Sequence, residues 1–151
     1  MNRHIPSLIA ITTNLLLLVA CGNREDAPPT KAGPSASTAS SVWPSTLPTD
    51  RGTFEVTVSP KGGKIERNKH FSLDVSLVAK TGDTKNVAIV VDADMPAHRH
   101  GMNTKPEITA EGPDHYRIDG MVFHMAGDWV ITVDVVREGT TERASFPVSV
   151  E

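Results

Sequence analysis

Trp129-Val130-Ile131-Thr132-Val133-Asp134-Val135, residues 129–135, is the stretch whose reading decides the fold. Its bulkiest apolar residues, Trp129, Ile131, Val133 and Val135, recur at every second position. In extended backbone that spacing turns them to one face and leaves Val130, Thr132 and Asp134 on the other. A helix would scatter the same four around its axis. Gly127-Asp128 before the stretch and Gly139 after it are turn formers. The same period returns in Phe54, Val56, Val58; in Phe71, Leu73, Val75, Leu77; and in Phe146, Val148, Val150. Val87 to Val91 is apolar almost throughout and suits a central strand covered on both faces. Gly62-Gly63, Thr81-Gly82-Asp83 and Gly112-Pro113-Asp114 punctuate the runs at the spacing of antiparallel hairpins. Pro147 cannot donate to a ladder, which puts the last strand at an edge or on a bulge. The expectation is an all-β domain, an immunoglobulin-like antiparallel β-sandwich of six or seven strands, with a small barrel as the competing closure.

Upstream of Thr53 the composition changes. From Gly22 to about Asp50 it is rich in Pro, Ser, Ala and Thr, as in Ala27-Pro28-Pro29-Thr30 and Ser35-Ala36-Ser37-Thr38-Ala39-Ser40-Ser41. Such a stretch has too little apolar surface to offset its ordering entropy and reads as a spacer. Trp43 is the one residue in it suited to docking on a folded body. Before the spacer come Arg3 and His4, an apolar run from Leu8 to Ala20 and then Cys21, the parts of an export signal. The run falls short of the roughly 20 apolar residues a membrane-crossing helix needs. The organisation expected is a signal peptide over 1–20, a lipidated flexible linker over 21–52 and one domain over 53–151.

Leu18-Val19-Ala20-Cys21 resembles the lipobox of bacterial lipoproteins. The resemblance implies that the segment before Cys21 is removed and that Cys21 carries the lipid. The protein would then sit in the cell envelope facing the periplasm, with Gly22 and Asn23 favouring the outer membrane. An uncleaved N-terminal anchor would tether the same domain. Cys21 is the only cysteine, so with it acylated no disulfide, thiolate nucleophile or sulfur-ligated cluster remains. The net charge is −3 with both signs interspersed, and neither a basic stripe nor a polybasic run points to nucleic acid or anionic lipid. Partners expected are the membrane, through the N-terminal lipid, and a metal donor or acceptor protein.

The chemistry-bearing residues are concentrated. Every methionine but the first lies between Met95 and Met125, with His98, His100, His115 and His124. Pro96 forces extended backbone on Met95 and ends a strand, which places His98 and His100 on a loop at one end of the sandwich. Two residues apart in extended backbone, both imidazoles face one side and can chelate one ion. Thioether with imidazole is a soft to intermediate donor set that suits copper. Zinc would draw on His115, His124 or Asp94 as further donors. Oxygen cages for calcium or magnesium are not present in Asp92 and Asp94 alone. Without a thiolate a blue-copper centre is ruled out. The candidate metal ligands are His98, His100, Met95, Met102 and His124. Against ligation stand Arg99, a cation between two ligands, and the shared parity of Met121, Phe123 and Met125, which favours packing. His70 and His115 read as strand-edge residues.

Met95-Pro96-Ala97-His98-Arg99-His100-Gly101-Met102, the Gly112 to Tyr116 turn, and Phe123-His124-Met125-Ala126-Gly127-Asp128-Trp129 followed by the alternating strand are similar to the YtkA-like domain, related to FixH-like proteins. The likeness spans roughly Val87 to Val136. It implies a small extracytoplasmic β-sandwich, and FixH-like members are associated with copper delivery during assembly of respiratory oxidases. This chain departs from them in its lipid anchor and its lack of a membrane helix. The family pattern makes Met125 and Trp129 core residues and Gly127 the tight turn, and leaves the loop histidines as the functional part. The expectation is a copper-binding protein that holds or delivers the ion and turns over no substrate. The alternative is a metal-free interaction module of the cell envelope. Neither Gly-x-Ser-x-Gly nor a phosphate-cradling glycine loop is present, so the chain is not expected to be an enzyme.

Overall fold

Phe54, Val56, Val58 and Pro60 are buried along one strand while Glu55, Thr57 and Ser59 between them are not, the outcome that a half-buried sheet imposes on an alternating sequence. The structure, a computed structural model, describes residues 42–151; Cys21, the signal-like run and the linker as far as residue 41 lie outside the described residues. Nine strands are formed among the described residues: β1 (Ser45–Pro48), β2 (Phe54–Pro60), β3 (His70–Ala79), β4 (Ala88–Met95), β5 (His100–Gly101), β6 (Glu107–Ala110), β7 (His115–Val122), β8 (Gly127–Arg137) and β9 (Thr140–Val150). They make a five-stranded sheet in the order β1-β2-β3-β7-β6 and a four-stranded sheet in the order β5-β4-β8-β9, every pair antiparallel. With β2 as strand A, the neighbours are A-B-E-D in one sheet and C-F-G in the other, the strand order of the immunoglobulin sandwich. β1 and β5 extend its edges.

The core comes from the inward parity of both sheets: Phe54, Val56, Val58, Leu73, Val75, Leu77 and Ile118 from one, and Val91, Ala93, Ile131, Val133, Phe146 and Val148 from the other. These side chains pack with their neighbours into one buried cluster between the two sheets, so the domain carries its own hydrophobic interior.

Three expectations change. The strands number nine because β1, β5 and β6 are edge strands of two to four residues, too short or too polar to show a period in sequence. β1 lies inside the stretch read as linker over 21–52, and Trp43 just before it packs against the core, so the domain starts earlier than Thr53. β4 is not covered on both faces: Ala88, Val90, Asp92 and Asp94 are exposed. It lies between β5 and β8 with its outer face in solvent. β9 is an edge strand, as Pro147 requires.

Candidate functional site

Three loops meet at one rim of the sandwich: β2–β3 (61–69), β4–β5 (96–99) and β7–β8 (123–126). Hairpin pairing dictates this, since β4 enters at Ala88 opposite Val136 and reaches Asp94 opposite Val130, and β7 ends at Val122 opposite His70. A backbone hydrogen bond from Asn68 N to Phe123 O, 2.8 Å, ties the first loop to the third.

In β4 the inward parity of Ile89, Val91 and Ala93 continues through Met95, which is 1% exposed. Directly across the ladder from Met95 stands His100, so its side chain leaves β5 on the same inward face. Between them the chain turns on Met95 O, which accepts from His98 N at 3.0 Å and Arg99 N at 2.9 Å, with Arg99 in the left-handed region at φ 57°. His98 and His100 are therefore not neighbours on extended backbone. A turn and a left-handed residue separate them, and their ring centres still lie 5.8 Å apart.

The β7–β8 loop brings the third imidazole. Phe123 stacks on Trp129 with ring centres 4.4 Å apart and planes 7° from parallel, and Trp129 Nε1 donates to Met125 O at 3.0 Å. That bond and the stacking fix the loop. His124 then stands edge-on to Trp129, 5.5 Å between centres, and 5.2 Å from the ring of His100. His100 itself meets Trp129 at 6.0 Å. His98, His100 and His124 thus form a continuous row over the end of the core, with Trp129 beneath the latter two. Two imidazoles sharing one ion, each nitrogen about 2.0–2.1 Å from it, hold their centres roughly 5–6 Å apart in tetrahedral geometry, the range seen here.

His124 Nδ1 is buried and has no hydrogen-bond partner; Thr104 Oγ1 is the other such side-chain atom among the described residues. A buried polar atom left unpaired costs about 1–3 kcal/mol. Among the described residues no three or more His, Cys, Asp and Glu side chains already converge as a metal site, so the row would have to close on an ion by small ring rotations.

The remaining candidates are placed as follows. Met95 is a core side chain whose methyl group faces Gly127. Met102, just past β5, is partly buried against the core, its N bonded to Ala93 O at 3.1 Å. His115 is exposed at the opposite end and paired with Asp114 at 2.7 Å. His70 is exposed at the start of β3, and Asp94 lies on the outer face of β4. Met125 is not the core residue that the family pattern implied: it is 37% exposed, because β7 ends at Val122 and the turn breaks the parity that carries Met121 and Phe123 inward. Trp129 is fully buried as expected, and Gly127 has φ 122°.

The family model described as YtkA-like matches residues 46–134. Among solved structures, a DUF4426 family protein from Pseudomonas aeruginosa PAO1 aligns at 14% sequence identity over 68% of this chain and 96% of that chain, with a TM-score of 0.46. No curated protein matches.

Proposed function

This chain belongs to the YtkA-like family, and we propose that it is a cell-envelope protein that binds copper at the rim of its sandwich and hands it on without turning over a substrate. In this reading lipid on Cys21 holds it to a membrane, facing the periplasm, with the outer membrane favoured. His98, His100 and His124 are the ligands, Met102 is the neighbouring thioether, and Met95 packs beneath His100. The observation that carries the reading is the buried, unpartnered Nδ1 of His124 in a row of imidazoles spaced as ligands of one ion. Coordination would satisfy that atom, and nitrogen with thioether is a donor set copper accepts.

Calorimetric titration of residues 22–151 with copper and with zinc tests it. One ion per chain should bind, copper more tightly than zinc, and His98→Ala with His100→Ala should abolish the heat. Unchanged affinity in the double variant rejects the site. A metal-free interaction module is the second reading, favoured by the absence of three already converging ligands among the described residues. A flat titration with Cu(I), Cu(II) and Zn(II) alike selects it.

A further inference from the structure

The β2–β3 loop reads Lys61-Gly62-Gly63-Lys64-Ile65-Glu66-Arg67-Asn68-Lys69, and Lys61, Lys64, Arg67 and Lys69 are all exposed. Glu66 is the loop's one acid. It is held between Lys64 Nζ, at 3.1 Å, and Lys69 Nζ, so it draws two of the ammonium groups together and leaves the loop with a surplus of three cations. Backbone bonds from Lys61 N to Ser72 O at 2.9 Å, Gly63 N to Pro60 O at 2.8 Å and Asn68 N to Phe123 O at 2.8 Å pin its shape. Along the sequence the charges look interspersed; in the fold this group occupies one corner. Asp119 on β7, hydrogen-bonded to Ser72 and Arg117, is near enough to interact with Lys61. The other acids toward this rim are Glu107, opposite Asp119 on β6, and, on the other sheet, Asp94, Asp128 and Glu151 toward the ends of β4, β8 and β9. Asp50, Glu111, Asp114 and Glu138 lie on loops at the opposite end.

The second observation is where the chain enters. β1 runs antiparallel to β2 with Ser45 opposite Val58, so Val42 and Trp43 enter the domain beside the end of β2, next to Lys61. The described chain therefore begins, on the side that leads in sequence to Cys21, at the basic corner of the histidine rim.

We propose that the β2–β3 loop is a contact surface for an anionic phospholipid bilayer, seating the tethered domain with its histidine rim toward the membrane. The proposal rests on the lipid-anchor reading of Cys21. A single anchor with an adjacent basic patch is a two-signal attachment, and the tether supplies the local concentration that a surplus of three cations alone would lack. Each cation at an anionic leaflet favours the surface about fivefold.

The test uses the chain from Cys21 to Glu151, with Cys21, its only cysteine, coupled to a maleimide lipid in vesicles. Lysine acetylation is followed by mass spectrometry. On vesicles containing phosphatidylglycerol, Lys61, Lys64 and Lys69 should label at least about tenfold more slowly than on phosphatidylcholine alone, with Lys80 and Lys85 at the far end unchanged and high salt removing the difference. Lys61→Gln with Lys64→Gln, both at exposed positions, should return Lys69 to its rate on neutral vesicles. Equal rates on the two vesicle types, or equal slowing at Lys80 and Lys85, overturn the proposal. Whether cells acylate Cys21 is read separately from the mass of its peptide in native membranes, so a failed anchor and a failed surface give different results.

Discussion

Gly127 concentrates the demands of the rim in one residue. It opens β8 at φ 122°, and a Cβ added there would come within 2.9 Å of Met95 Cε. The methyl is the far end of a flexible side chain and can retreat, so the backbone decides the outcome. Gly127→Ala should lower stability by about 1–3 kcal/mol in urea unfolding, and adding Met95→Leu should recover little of it; full recovery would mean that the clash with the methyl, and not the backbone, sets the cost. Met95 also shows how far sequence carries at this scale. The polar neighbours Asp94 and His98 make it look like a loop donor, yet the period through Ile89, Val91 and Ala93 already points it inward. Met125 fails in the opposite sense, since its parity with Met121 and Phe123 holds only while the strand lasts. That His124 meets His100 could not be read from spacing, because it depends on the Phe123–Trp129 stack bringing two loops over one indole.

The β4–β5 hairpin is the element that presents His98 and His100, and its weak point is Arg99. A left-handed conformation costs a non-glycine residue about 1–2 kcal/mol, and along the chain the cationic Arg99 stands between His98 and His100, the proposed ligands of a cation. Arg99→Gly relieves both, whereas Arg99→Ala removes only the charge. Both variants should bind copper more tightly than the native chain, and only the glycine variant should gain thermal stability. Weaker copper binding in both would show that Arg99 supports the site rather than opposing it. Elements with an uninterrupted period, β2, β3, β8 and β9, were legible because burial on one face dictates their composition; β7 was not, because Tyr116 and Ile118 face inward at one parity and Met121 at the other, across Gly120 at φ 80°. β1, β5 and β6 were not: β5 has two residues and β6 carries a single large apolar side chain, Ile108, that is itself 37% exposed. Such strands exist because a neighbour offers a ladder, which leaves no mark on their own sequence.

For the whole molecule, the two sheets are fastened at the end away from the histidines by a buried carboxylate. Glu142 on β9, 6% exposed, accepts from Thr49 Oγ1 at 2.6 Å and Thr53 N at 3.3 Å, residues that flank the β1–β2 turn of the other sheet. Arg143 and Asp50 reinforce the join, with Asp50 N donating to Arg143 O at 2.8 Å and Arg143 N to Asp50 Oδ1 at 3.1 Å. Burial works against the charged form of Glu142, but the hydrogen bonds from Thr49 and Thr53 outweigh it and hold its pKa below the ordinary 4.5. A carboxyl whose folded pKa is depressed contributes stability that is fully present above the unfolded value and is lost as pH falls through the folded one. The sandwich should therefore weaken below about pH 4.5, as protonation takes one acceptor away from two donors fixed in place. Glu142→Ala should cost about 1–2 kcal/mol at neutral pH, by leaving Thr53 N unpaired and Thr49 Oγ1 with only its longer bond to Phe54 O. Glu142→Gln, which keeps an acceptor oxygen, should cost less and flatten the acid limb of the stability curve measured by urea unfolding across pH. An acid limb equally steep in Glu142→Gln would move the pH sensitivity to other carboxylates and leave this clasp as packing alone.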